Sequence, residues 1–356
     1  MCARVYVDVD YVLLMCFFFV GANGFMTYLA NRGDDLEMRD LKTQFDLGRT
    51  RFVFYSPRDR ESIKEVISDA DVVVNMIGKY YESGQPVQSS SFPFIQYKTN
   101  FSFEDTNIVI PQTLAEVCKE MQVDHLIHVS SASAKPDAKS RWSRTKYEGE
   151  VAVKEAFPWA TIVRPTQIFG KDDFFLTRFA RNQQFMFCQP LVHDGDRQAL
   201  SQPVYVNDVA KTILALVDAA ESFAGRRVDC FGPDDFTNPE LAAFVNDITC
   251  QNKPVLTIPA DIMRVLSQAT QYTRSPLITP DLVEQWLEDF TPAMSAEEYK
   301  NQSNTKDKIL TMSDFGVSAT PLEKVAFSFL HHFRAGGHFF REKGYHLTGD
   351  NDDYRR

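Results

Sequence analysis

The chain reads as an α/β protein built on a doubly wound parallel sheet, with a smaller α/β domain toward its C-terminus. Three observations carry that expectation. Apolar runs of strand length, VLLMCFFFV at 12–20, DADVVVNMIG at 69–78, DHLIHV at 124–129 and ATIVR at 160–164, are too continuous for half-solvated strands and suit strands buried on both faces. Amphipathic stretches with helical spacing alternate with them. A glycine turn, Gly21-Ala-Asn-Gly24-Phe25, follows the first run directly.

The elements follow in order. The run at 12–20 is far short of a membrane span, so it is expected as a buried strand, and no transmembrane segment is expected. Its flank carries Asp8 and Asp10 against Arg4, unlike an Arg-rich, acid-poor presequence, and no small-residue cleavage site precedes the glycine turn. Two glycines allow a tight turn and close backbone approach to a pyrophosphate at a helix N-terminus; Thr27 stands at the third glycine position. A crossover between parallel strands needs a dozen or more residues, and the stretch from Gly24 to Arg32 is shorter, so either the first helix or the second strand is missing. Asn31-Arg32 looks like a strand end where Arg receives a 2′-phosphate, with Asp34 and Asp35 as the acidic alternative that favours NAD. DDLEMRDLKTQF is expected as a helix and RFVFYS as a strand. Residues 83–98, polar and proline-bearing, read as an inserted loop.

Asn107 to Met121 has helical spacing and precedes the strand at 124–129; Pro165 closes the strand at 160–164. These segments complete a dinucleotide-binding domain over 1–170. A smaller domain over 171–335 follows, with a strand entering a helix at 202–217 whose N-cap lies at or near Asp208, a strand and turn at 227–233 and a helix at 239–249. Residues 336–356, ending GDNDDYRR, read as a tail. A net charge of −10 argues against a nucleic-acid partner, and the six cysteines, with no CxxC spacing, read as reduced core residues rather than metal ligands.

Most of the chemistry lies between IHVSSASA at 127–134 and SRWSRTKYEGE at 140–150. Ser130 or Ser131 ends a strand, and Trp142 and Lys146 lie four apart, on one face of a helix. An indole N–H donates without titrating, so position 142 offers no proton relay. Read blandly, Lys146 is a solvated lysine and Tyr147, about 100° further round the helix, an ordinary half-buried aromatic.

This frame resembles the extended or atypical short-chain dehydrogenase/reductases, in which a Tyr at the position of Trp142 handles the proton. Within them the chain is similar to the dehydrogenase-like accessory subunits of mitochondrial complex I, through VVVNMIGKYYE, TNFSFEDTNIVIPQTLAEVCKE, AFPWATIVRPTQIFGKDDFF, QPVYVNDVAKTI and FGVSATPLE. The resemblance implies a Rossmann-like fold, no catalytic residue of its own and a retained NADP(H), with NAD(H) or FAD as alternatives. Gly21, Asn23, Gly24 and Phe25 would hold the pyrophosphate and Arg32 the 2′-phosphate. Asn75, Ile77 and Gly78 would line the ribose and nicotinamide side, Ser130 would be the site's Ser, which in the family orients the substrate carbonyl, Lys146 would take the ribose hydroxyls, and Pro165, Thr166 and Ile168 would flank the nicotinamide. It further implies the matrix side of the mitochondrial inner membrane, peripheral-arm subunits of complex I as partners and peripheral contact with the membrane, near the quinone site. An active NADP-dependent reductase or epimerase, or a free redox sensor, is the alternative. Thr27, Ser56 at a position where Asp often touches adenine, the short segment after Gly24 and the insertion at 83–98 depart from the pattern.

Overall fold

The computed structural model describes residues 4–8, 24–31, 48–82, 84–87, 96–99, 101–171, 173–185, 188–195, 198–251, 253–270, 278–295, 298–299 and 308–334. In chain order its strands are β1 Arg4–Asp8, β2 Met26–Asn31, β3 Thr50–Phe54, β4 Val72–Asn75, β5 Gly84–Val87, β6 Gln96–Thr99, β7 His125–Val129, β8 Thr161–Pro165, β9 Ile168–Phe169, β10 Gln189–His193, β11 Leu200–Ser201, β12 Val204–Tyr205, β13 Arg227–Cys230, β14 Phe236–Thr237, β15 Val255–Pro259 and β16 Leu310–Thr311. The helices are α1 Arg60–Ile67, α2 Ile110–Glu120, α3 Arg141–Ala156, α4 Leu176–Phe185, α5 Val206–Asp218, α6 Ala220–Phe223, α7 Asn238–Thr249, α8 Ala260–Thr270, α9 Pro280–Leu287 and α10 Leu322–Leu330.

Eight strands form one sheet in the order β16-β13-β8-β7-β4-β1-β2-β3, and every neighbouring pair is parallel. The order reverses between β1 and β4, the point at which doubly wound sheets open a crevice beyond their C-terminal strand ends. Period-two alternation sends Leu29, Val72, Val74, Ile127 and Val163 to one face, where Val209, Ile213 and Leu216 of α5 cover them. Ala30, Val73, Leu126 and Ile162 face the other way, onto Ile63 and Ile67 of α1, Leu114 and Val117 of α2 and Val153 of α3. Burial on both faces accounts for the continuous apolar runs.

Helix α3 is fixed closely. The carboxylate of Glu150 receives the Arg164 guanidinium of β8 at 2.8 Å, and Gly149 lies against the backbone carbonyl of Asn107, in a π-helical turn at Asp105–Val109 that leads into α2. A Cβ at 149 would stand 1.9 Å from that oxygen, so only glycine lets the two segments cross.

Several expectations change. The strand between β4 and β2 is Arg4–Asp8, whereas the run at 12–20 lies outside the described residues, as do the DDLEMRDLKTQF segment and the tail at 336–356. Of the two alternatives after Gly24, the second strand is present, as β2. Within the expected loop at 83–98, β5 and β6 pair as an antiparallel ribbon. The division at residue 170 is interleaved: β13 and β16 both extend the large sheet, so the chain returns to the first domain after residue 170. Asp208, by contrast, lies near the helix start as expected, in the first turn of α5, and accepts from the Thr320 amide at 2.8 Å.

Candidate functional site

A cavity of about 390 Å³ opens beyond the C-terminal ends of β4, β7 and β8. Met76 and Gly78 come from the end of β4, Ser130 and Ser131 from the end of β7, Pro165, Thr166, Gln167 and Ile168 from the end of β8, and Trp142 and Lys146 from α3. Tyr80, Phe174, Phe175 and Phe290 complete an aromatic wall. A mostly apolar concavity with a few convergent polar groups at this edge of such a sheet has the position and lining of a candidate small-molecule site.

The polar groups have distinct environments. Ser130 Oγ is buried with no hydrogen-bond partner among the described residues, an acceptor and donor left available at the cavity wall. Ser131 Oγ meets Ser133 Oγ at 3.1 Å, which in turn meets Ser143 Oγ at 3.0 Å, and Ser143 Oγ donates to Glu288 at 2.6 Å. Lys146 is 6% exposed. Buried His128, on β7, is held neutral: burial first, and then the Lys146 charge, push its pKa down to about 3. Its Nδ1 lies 3.1 Å from Asn75 Nδ2, and an uncharged ring accepts there from the amide. Asn75 Oδ1 accepts from the Ile77 amide at 3.0 Å, so both ends of this side chain are engaged within the protein. Asn75 therefore shapes the backbone that carries Gly78 and does not itself line the cavity; nor does Ile77.

Trp142 lies on the cavity wall, with its indole Nε1 donating to Lys79 O at 2.7 Å. Tyr147 is half-buried and is absent from the lining, as the bland reading had it. Asp173, buried behind the aromatic wall, accepts from the Gly170 and Thr177 amides, and burial raises its pKa to about 6.

The structure brings together Gly78, Ser130, Lys146, Pro165, Thr166 and Ile168 at one cavity. It does not bring the glycine turn there. Gly24 and Phe25 precede β2, at the N-terminal edge of the sheet, with the Gly24 backbone at φ +88° beside the Arg49 side chain. The cavity lies at the opposite edge, about 17 Å away along the strand direction for a five-residue strand such as β7. A pyrophosphate role for Gly24 and Phe25 is thus corrected: their turn enters a strand instead of leaving one. Gly21, Asn23 and Arg32 lie outside the described residues, as do Cys2 and Cys16, while Cys118, Cys188, Cys230 and Cys250 form no disulfide among the described residues. The aromatic wall escaped the sequence reading because Tyr80, Phe174 and Phe290 come from distant segments with no shared spacing.

Comparison with known proteins agrees with this fold. Residues 19–230 match the NAD dependent epimerase/dehydratase family. The "NADH dehydrogenase [ubiquinone] 1 alpha subcomplex subunit 9, mitochondrial" of Arabidopsis thaliana is 32% identical over 314 residues, 86% of this chain and 71% of that protein. Its namesake in Dictyostelium discoideum is 28% identical over 319 residues, 89% and 80% of the two chains. In fold the chain is similar to UDP-glucuronic acid 4-epimerase from Bacillus cereus, solved with UDP-glucuronic acid and NAD, at a TM-score of 0.55 and 15% identity over 92% of this chain and 98% of that one. The chain belongs to the NAD dependent epimerase/dehydratase family and, within it, to the family of NADH dehydrogenase [ubiquinone] 1 alpha subcomplex subunit 9.

Proposed function

We propose that this chain is a non-catalytic accessory subunit of mitochondrial respiratory complex I, on the matrix side of the inner membrane, that retains a nicotinamide nucleotide and supports assembly near the quinone site. The observation that carries the reading is the state of residue 142. We take Trp142, four residues before Lys146, to stand where the resembled dehydrogenases carry their proton-handling Tyr, and its one polar hydrogen is already committed to Lys79 O. Ser130 and Lys146 keep the groups needed to hold a ligand, but nothing at position 142 titrates.

A nicotinamide nucleotide would bring a transferable hydride to this cavity. Toward it Lys146 would offer a cation to ribose hydroxyls, and Ser130 an unengaged hydroxyl. Thr166, Pro165 and Ile168 would form one wall, and Gly78 would allow close approach of the backbone. We assign NADP(H) over NAD(H) or FAD on Arg32, next in sequence to the last residue of β2, as the partner of a 2′-phosphate.

Among the described residues no helix is long and apolar enough to cross a membrane. Helix α8 is amphipathic in an unusual sense: Met263 packs inward on Val283, while Ile262, Val265 and Leu266 are 59%, 70% and 50% exposed on the other side. Val255 and Leu256 of β15 are exposed as well. Exposed apolar residues of this kind on α8 and β15 support peripheral membrane contact. In detergent extracts run on native gels the chain is expected to migrate with the intact respiratory complex; recovery only as a free protein would contradict the assignment.

A further inference from the structure

Residues 78–82 leave the end of β4 and run beside the cavity, and an unusual number of contacts bind this loop to its surroundings. Trp142 Nε1 donates to Lys79 O at 2.7 Å. Lys79 Nζ donates to Phe101 O at 2.9 Å, and Gln285 Nε2 to Tyr80 O at 3.4 Å. Glu82 receives the Arg141 guanidinium at 3.1 Å and the Phe103 amide at 2.6 Å. The Tyr80 ring meets Trp142 edge-on, with centroids 6.3 Å apart, and stacks on Phe174 at 6.0 Å and 14°. Trp142, Tyr80 and Phe174 therefore form a continuous aromatic band in the cavity lining.

The first turn of α3 joins this loop to a distant part of the chain. The amides of Arg141 and Trp142 donate to the two carboxylate oxygens of Asp281, at 2.6 and 3.3 Å, and the Ser140 amide donates to Glu288 at 2.8 Å. Asp281 and Glu288 lie in and just after α9, so groups about 140 residues away satisfy amides that a helix start otherwise leaves to water. Arg141 and Trp142 thus hold α9 with their backbones and the 78–82 loop with their side chains.

We infer that Trp142 is a positioning residue that latches the 78–82 loop beside the cavity, so that a nucleotide bound there exchanges slowly. The inference rests on the proposed nucleotide-holding function for its ligand, but not for the latch itself. An indole suits the task where a phenol or phenyl does not. Its N–H projects from the side of a large ring, so one residue both bonds the Lys79 carbonyl and packs on Tyr80. Arg141→Glu82 acts at the other end of the same loop.

The test uses the full chain with Trp142→Phe, and Glu82→Gln as a second variant that weakens the loop from its other end while keeping an acceptor for Phe103. Tryptic cleavage after Lys79 reports loop opening, and cleavage after Lys154, within α3, reports unfolding of the body. Loss of one hydrogen bond is expected to raise the Lys79-to-Lys154 cleavage ratio by about two- to tenfold in each variant, and to speed release of added NADPH by a similar factor. An unchanged cleavage ratio overturns the latch whatever the nucleotide does. An opened loop with unchanged NADPH release overturns its role in retention. If the unaltered chain binds no NADPH while Trp142→Phe still opens the loop, the latch stands and the nucleotide-holding function falls.

Discussion

Substitution of Gly149 by alanine sets two opposed effects against each other. In an exposed helix interior the change would stabilise by about 1 kcal/mol, because alanine loses less backbone entropy. Here the new methyl would lie 1.9 Å from Asn107 O and 3.0 Å from its carbonyl carbon, whereas packed atoms approach no nearer than about 3 Å. Helix α3 would have to retreat by about 1 Å or more, straining the Asn107 Nδ2 to Thr145 Oγ1 hydrogen bond of 3.0 Å. Overpacking typically costs about 1–3 kcal/mol, and the obstacle here is backbone, which cannot rotate away. The clash wins, and Gly149→Ala should lose about 2 kcal/mol net, read as a fall in the urea midpoint at constant slope. Lys146 lies one turn away on the same helix, so nucleotide retention should fall too. A Gly149→Ala chain stabilised by about 1 kcal/mol would refute the close crossing of α3 over the 105–109 turn.

Two further outcomes follow from the site. His128 should remain neutral down to about pH 4 in ring NMR titrations. Its folded pKa of about 3 lies below the ordinary 6.5, so the unfolded chain takes up this proton first, and its stabilising contribution is lost progressively as pH falls below about 6.5, by about 2 kcal/mol at pH 5; a midpoint near 6.5 would show the ring to be solvated. Arg32→Ala should weaken NADPH binding by roughly one to two decades and leave NADH binding nearly unchanged, and equal losses would remove Arg32 from the site.

What was legible in the sequence follows physical lines. VVVN at 72–75, HLIHV at 125–129 and TIVRP at 161–165 announced themselves because burial on both faces leaves the middle of each run apolar. Trp142 and Lys146 could be placed on one helical face from their spacing, and Ser130 from the strand end that precedes it. Gly24 misled for a definite reason. A glycine pair between two apolar runs marks a turn, but not whether that turn leaves a strand at the ligand edge or enters one at the far edge. The strand at 227–233 was legible, but its pairing with β8 was not, because a four-residue run names no partner, and β16, two residues long, carries no periodicity at all. The grip of Asp281 and Glu288 on α3 was equally invisible, since an acidic residue's partners across 140 positions are set only by the packing of α9.

The central claim is that a nucleotide is held and not consumed. Its most direct test is to load the purified chain with NADPH, incubate it with a panel of aldehydes, ketones and quinones, then release the nucleotide by denaturation and determine its amount and redox state by mass spectrometry. The account predicts one nucleotide per chain, still reduced, with no oxidation above the protein-free rate. NADP⁺ accumulating in excess of the protein, or no nucleotide retained at all, would contradict it.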